Sequence, residues 1–147
     1  MTQRVRCDTI STMQTFLPLP DYYESMKCLD KSRLGNQVWR EGITLIRGGW
    51  IHHPASKMWR GHEFDLGLYL LEGCRVLFER GKAYPDVVAK ITAEMIKFPR
   101  SGTPPWVGNN EFHASHRSNL LRKDPKWYGQ FGWTETPDLP YLWPKHL

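Results

Sequence analysis

Cysteine is scarce in this chain, and the three present cannot form a framework: Cys7, Cys28 and Cys74 are odd in number, far apart, and make no Cys-x-x-Cys unit. That excludes a disulfide scaffold and a thiolate zinc site, and it predicts free thiols in a reducing compartment. Long apolar runs are also missing. The densest cluster, residues 66–78, is interrupted by Gly67, Glu72, Gly73 and Arg75, so no membrane-spanning helix is expected. Nor is there an alternating apolar and polar stretch of useful length, which argues against strands, or an internal repeat. Acid is in the minority, with 15 Asp and Glu against 20 Lys and Arg and a net charge of +5. A polyanionic partner is therefore expected, with nucleic acid ahead of a membrane surface.

What the chain does have is helical periodicity. At 147 residues it has the size of one domain, large enough to bury a core unaided. Residues 1–12 lack apolar periodicity and read as a flexible leader ahead of a single helical domain over residues 13–147. Asp21, with Glu24 three positions on, is a capping pair that predicts a short helix to Asp30. A second helix is predicted from about Ser32 to Arg47, with Leu34, Val38, Trp39, Ile43, Leu45 and Ile46 on a wide apolar face and Gly48-Gly49 as its stop. A long third helix should run from about Pro54 to Arg80 and end at Gly81. The fourth starts at Tyr84-Pro85-Asp86 and continues to Phe98, burying Val87, Val88, Ile91, Met95 and Ile96. Prolines and glycines make residues 99–108 a loop, after which a last helix spans about Asn109 to Arg122. Beyond Pro125 the chain should be extended or turning, since Pro137, Pro140 and Pro144 prevent regular helix. The expected class is all-α, a compact bundle with a long C-terminal tail rich in proline and aromatics.

Two groups of residues carry chemistry. The stretch Lys126-Trp127-Tyr128-Gly129-Gln130-Phe131-Gly132-Trp133 places aromatic rings beside basic side chains, a combination that stacks on bases while holding phosphates. Its expected division puts Lys126, Trp127 and Tyr128 toward DNA, while Phe131, Trp133, Tyr141 and Trp143 fasten the tail to the bundle. Arg33, Gln37, Arg40 and Glu41 are separated by helical steps of three and four, so they should share one site. His113, His116 and the His52-His53 pair raise the question of zinc, but nothing supplies the rest of a metal signature. The expectation is no metal and no cofactor, with His113, His116 and Arg117 donating hydrogen bonds to phosphates or an extruded base and His53 capping or contacting backbone.

Three blocks resemble the pyrimidine-dimer DNA glycosylases of the endonuclease V type and, more closely, bacterial and phage relatives of unproven activity. They are Leu29-Asp30-Lys31-Ser32-Arg33-Leu34-Gly35-Asn36-Gln37, then His52-His53-Pro54-Ala55-Ser56-Lys57-Met58-Trp59, and then Pro104 to Gly108 running on through Phe112 to Arg117 and Lys126 to Trp133. The resemblance implies an all-helical DNA repair enzyme that excises a damaged pyrimidine from double-stranded DNA and then nicks the strand. It further implies an N-terminal α-amine as nucleophile and a carboxylate as helper. That carboxylate falls on Glu41, preceded by Arg40 in the aromatic-Arg-Glu triplet, while the family's next basic residue falls on Thr44. The amine could belong to Thr2 or lie near Met13, where the matching region begins. The expected DNA contacts are Arg33, Gln37, His53, Lys57, His113, His116, Arg117, Arg122, Lys123, Lys126, Trp127 and Tyr128. A monomer in a bacterial cytoplasm or phage-infected host is expected. The alternative is a DNA-binding protein that keeps the scaffold without catalysis.

Overall fold

The computed structural model describes residues 14–144. Thr2 and the 1–12 leader therefore lie outside the described residues. Among those described there are helices and loops but no strands, so the chain is all-α. The first helix, α1 (Tyr22–Cys28), begins where the Asp21 carboxylate accepts from the Glu24 amide. The second begins as α2 (Lys31–Asn36), passes through a π-helical turn (Gln37–Glu41), and resumes as α3 (Gly42–Ile46).

The predicted third helix is two helices, α4 (Pro54–Trp59) and α5 (Glu63–Glu79). The break is at Gly61, whose φ of 89° lies in the left-handed region that only glycine enters without strain. Helix α6 (Pro85–Met95) starts with proline in its first turn but stops short of Phe98. Val88 and Ile96, expected on its buried side, are exposed, because the helix touches α5 through only a narrow stripe around Ile91 and Met95.

Helix α5 is the axis of the bundle, with α1, the π turn, α3 and α6 packed around it. Its Leu66, Tyr69, Leu70 and Leu77 meet Met26, Val38 and Ile46 in a core that also takes in Trp59, Phe112 and Tyr128. Helix α7 (Asn110–Lys123) is different in kind. Asn109 caps it by accepting from the Phe112 amide, yet it buries Ser115, Ser118, Asn119, His113 and His116 alongside its apolar residues. Those polar groups hold other segments rather than facing water. Asn119 donates to Leu139 O at 3.0 Å, and Ser118 donates to Thr136 O at 2.5 Å while accepting from the Leu139 amide.

After α7 the chain does not go straight into an extended tail. It forms α8 (Pro125–Tyr128), capped by Asp124, and one 3₁₀ turn (Gly129–Phe131). Phe131, Trp133, Tyr141 and Trp143 then pack against the core, with Trp133 stacked on Tyr128 at 5.8 Å.

Candidate active site

Glu41 closes the π turn, and the turn decides where its carboxyl points. A π-helical turn adds a residue to the helical circuit and turns the following side chains around the axis. The widened turn is fitted closely to α5: a Cβ on Gly42 would lie 2.2 Å from Leu70 Cδ2 and 2.4 Å from the Gln37 carbonyl oxygen. Glu41 thereby lines an open cavity of about 300 Å³ with Phe16, Ser32, Arg33, Asn36, Gln37 and Lys123. Burial raises its carboxyl from the usual range to about 6, against the opposing pull of Arg40, Gln37, Lys123 and a main-chain hydrogen bond from Gln14. A carboxyl so poised can exchange protons near neutral pH.

Gln37 holds that carboxyl in place. Its amide nitrogen donates to Glu41 Oε1 at 2.9 Å and to Gln14 O at 2.5 Å. Its amide oxygen accepts from the Phe16 amide at 2.9 Å and the Tyr69 hydroxyl at 2.8 Å. The Gln37 side chain, fully buried, thus has all four hydrogen-bonding positions filled from within the protein.

The second half of the site is a stretch of extended chain, residues 14–19, threaded between helices. A buried extended segment without a sheet partner must satisfy its peptide groups some other way. Here side chains do it. Gln37 takes the Phe16 N–H and Tyr69 donates to the Phe16 carbonyl. His116 Nδ1 accepts from the Leu17 amide at 2.8 Å, and His113 Nδ1 donates to Leu17 O at 2.8 Å while its Nε2 accepts from Gly108 N. Arg117 donates to Pro18 O at 2.7 Å, and Ser25 both accepts from and donates to Leu19. Trp59 Nε1 donates to Thr15 Oγ1. This lacing delivers Gln14 to the Glu41 carboxylate.

The sequence profile of a family described as pyrimidine dimer DNA glycosylase matches residues 13–91. The chain belongs to that family. The matched span opens at the threaded segment and contains Gln37, Glu41 and Tyr69, so the carboxylate and the groups that orient it all fall inside the family match. No curated protein and no solved structure gives a significant match.

For this family member, the cavity brings together Glu41, Arg33 and Lys123, with Arg40 exposed beside the carboxylate. Arg33 is partly engaged by Asp30 at 3.2 Å. Arg122, Lys126 and Lys57 are exposed. Several expected DNA contacts turn out to be inside the protein, and these expectations are corrected. Gln37 is occupied as described. His116 is fully buried and pushed down to about 3, by desolvation first and by His113 second, so it stays neutral and cannot pair with phosphate. His113 is buried and also lowered by desolvation. Arg117 is committed to Glu135, at 2.7 and 2.9 Å, and to Pro18. Tyr128 has no exposed surface, and its hydroxyl donates to Asp30 Oδ1. His53 takes the capping role of its two expected ones: it is buried as the cap of α4, its Nδ1 accepting from the Ala55 amide, and is not placed as an exposed DNA contact.

Trp127 is intermediate. Its indole nitrogen donates to Cys28 O at 2.7 Å, and the ring also lines a groove of about 630 Å³ with Lys31, Trp39, Lys82 and Tyr84. That groove shares Ser32 and Asn36 with the Glu41 cavity, so the two adjoin. Among the described residues no group of three or more His, Cys, Asp or Glu side chains is placed to hold a metal ion. None of their helices is long and apolar enough to cross a membrane. Sequence reasoning missed Gln14 and Tyr69. A tyrosine in the middle of an apolar helix face was the available signal, since a buried hydroxyl needs a partner.

Proposed function

We propose that the protein is a DNA N-glycosylase with coupled abasic-site lyase activity, acting on damaged or modified pyrimidines in double-stranded DNA. The observation that carries this reading is the hydrogen bond between the Gln14 main chain and the raised carboxyl of Glu41. A chain starting at Met13 would present its α-amine one residue from that carboxylate. An α-amine has an unperturbed pKa of about 7.7–8.0, so a useful fraction is free base near neutrality. Thr2 is the other source, and it requires the preceding segment to fold back to the same place.

In the proposed reaction the amine nitrogen attacks C1′ of the damaged nucleotide. The C1′–N bond to the base breaks with its electron pair leaving on the base; the C1′–O4′ bond then breaks to open the sugar ring, O4′ takes a proton, and the attached amine nitrogen loses its protons to give an imine. Ionised Glu41 stabilises the cationic sugar during that step and then removes a C2′ proton. The C3′–O bond breaks, the phosphate leaves, and water hydrolyses the imine to free the amine. Arg33, Arg40 and Lys123 supply positive charge around the departing phosphate. The adjoining groove, with Trp39, Tyr84 and Trp127 between Lys31 and Lys82, offers rings and cations to unstacked DNA.

The test is borohydride trapping on a duplex with an abasic site or a pyrimidine dimer. A covalent adduct is expected, and peptide mapping of it identifies the amine. Glu41→Gln should lower trapping by about 100-fold or more while DNA affinity stays within a few-fold. Binding without trapping or nicking on any damaged duplex would sink the enzyme and leave the non-catalytic DNA-binding alternative.

A further inference from the structure

The loop after α3 exposes what a folded protein ordinarily hides. Trp50 is 43% exposed and its neighbour Ile51 55%. Trp50 also has φ of 53°, the one non-glycine residue with positive φ among those described. A bulky side chain in that region is strained, and strain of this kind persists only where the surroundings impose it. They do so here from both sides. The end of α3 is closed by Gly48 N to Leu45 O at 3.0 Å and Gly49 N to Thr44 O at 2.8 Å. On the far side the His53 amide donates to Trp50 O at 2.9 Å, and Arg60 donates to Ile51 O at 2.6 Å. The His53 ring, itself fixed as a helix cap, lies 6.2 Å from the Trp50 ring and 5.9 Å from that of Trp143. The backbone that carries the indole is thus held on both sides, and one side of the ring faces His53.

Its position and its charge surroundings point to one occupant. Thr44 lies three residues beyond Glu41 in the next stretch of helix, and a Cβ on Gly49 would lie 2.6 Å from Thr44 Cγ2, so the loop packs back on α3, the helix that follows the proposed catalytic carboxylate. From Gly42 to His62 the chain contains no acidic residue. Arg47, His52, Lys57 and Arg60, all within ten residues of Trp50 in the chain, are exposed; Arg47 and Arg60 line a cavity with Ile51, where Glu63 and Glu94 also lie and Arg47 meets Glu94 at 3.3 Å. Apolar side chains projecting from a cationic rim are how proteins enter a base stack, the rim holding phosphates while the wedge separates the bases.

We propose that Trp50, backed by Ile51, is a wedge that inserts between base pairs beside the nucleotide held at Glu41 and opens the duplex for it. The proposal rests on the glycosylase reading. It assigns Trp50 a positioning role, apart from the amine and the carboxylate.

The experiment uses a duplex with a tetrahydrofuran abasic analogue next to 2-aminopurine, whose emission rises when it unstacks. The unaltered protein should raise that emission. Trp50→Gly should abolish the rise and bind this duplex about ten-fold more weakly, the scale expected for one lost stacking contact. Glycine suits the positive φ, so the variant should melt at the same temperature or higher, and Trp50→Phe should restore part of the signal. An unchanged emission rise in Trp50→Gly overturns the wedge while borohydride trapping by the unaltered protein keeps the glycosylase reading intact. Absence of both binding and trapping in the unaltered protein overturns the two together. Binding of the unaltered protein to phosphatidylserine vesicles through Trp50, with flat emission on DNA, overturns the wedge in favour of a membrane contact.

Discussion

Glu41 keeps its proton to a higher pH than an exposed carboxylate because burial outweighs the cations and donors around it. Two consequences follow, with opposite signs for activity and stability. In the proposed reaction Glu41 acts in its ionised form, so the rate should climb as pH rises through about 6 and continue toward the amine's own range. Stability moves the other way. Between the ordinary glutamate value of 4.5 and about 6 the folded protein holds a proton that the unfolded chain has released, so unfolding becomes easier as pH rises through that window. Glu41→Gln should therefore match the native protein near pH 4.5 and melt higher at pH 8. The gain should be no more than about 1 kcal/mol, because the carboxyl is partly open to solvent. Thermal melts at the two pH values check it, and a lower melting temperature at pH 8 would mean that Glu41 is a structural anchor. At this scale the sequence was half legible. The Trp39-Arg40-Glu41 triplet could be read locally, but His113 and His116 could not, because their partner Leu17 lies 96 and 99 residues away and only the fold makes them buried donors and acceptors.

Helices read well from periodicity, and their interruptions did not. The apolar face of residues 31–46 predicted a helix there, yet no propensity marks the π turn at Gln37–Glu41. The turn depends on contact with α5, which a linear reading does not contain. Gly61 was passed over inside an otherwise helical pattern, because a glycine there is compatible with either a weak helix or a stop. Gly42 offers a test of the π turn. Replacing a helical glycine with alanine ordinarily favours the helix by about 1 kcal/mol. At Gly42 the added methyl would meet Leu70 and the Gln37 carbonyl, and overpacking of this kind costs about 1–3 kcal/mol. Leu70 can change rotamer, but the carbonyl belongs to the backbone of the turn itself. Gly42→Ala is thus expected to lose about 1 kcal/mol in chemical denaturation and to reduce borohydride trapping at least ten-fold, since Gln37 and Glu41 must shift together. Retention of full trapping would show that the turn can relax without moving the carboxyl.

Across the whole molecule, the basic charge and the all-helical class were legible because both are sums over many residues. The way the ends are fixed was not. Helix α7 reads as a poor amphipathic helix because it serves two clients, holding the extended chain at residues 14–18 with His113, His116 and Arg117, and the segment at residues 136–142 with Ser115, Ser118 and Asn119. Arg117 joins the two, bonding Pro18 on one side and Glu135 on the other. The threaded segment also has a kinetic meaning. The Phe16, Leu17 and Pro18 peptide groups find their partners only once the π turn, α5 and α7 have converged, and the loops so closed include some of the longest the chain can make. The active site should be among the last parts of the protein to assemble. In pulse-labelled hydrogen exchange during refolding, the Leu17 amide should gain protection after the amides of α5, and early protection of Leu17 would refute that order. The carboxylate pocket would then open whenever this seam loosens, so a protein still mostly helical could already have lost the contact between Gln14 and Glu41 on which the proposed chemistry depends.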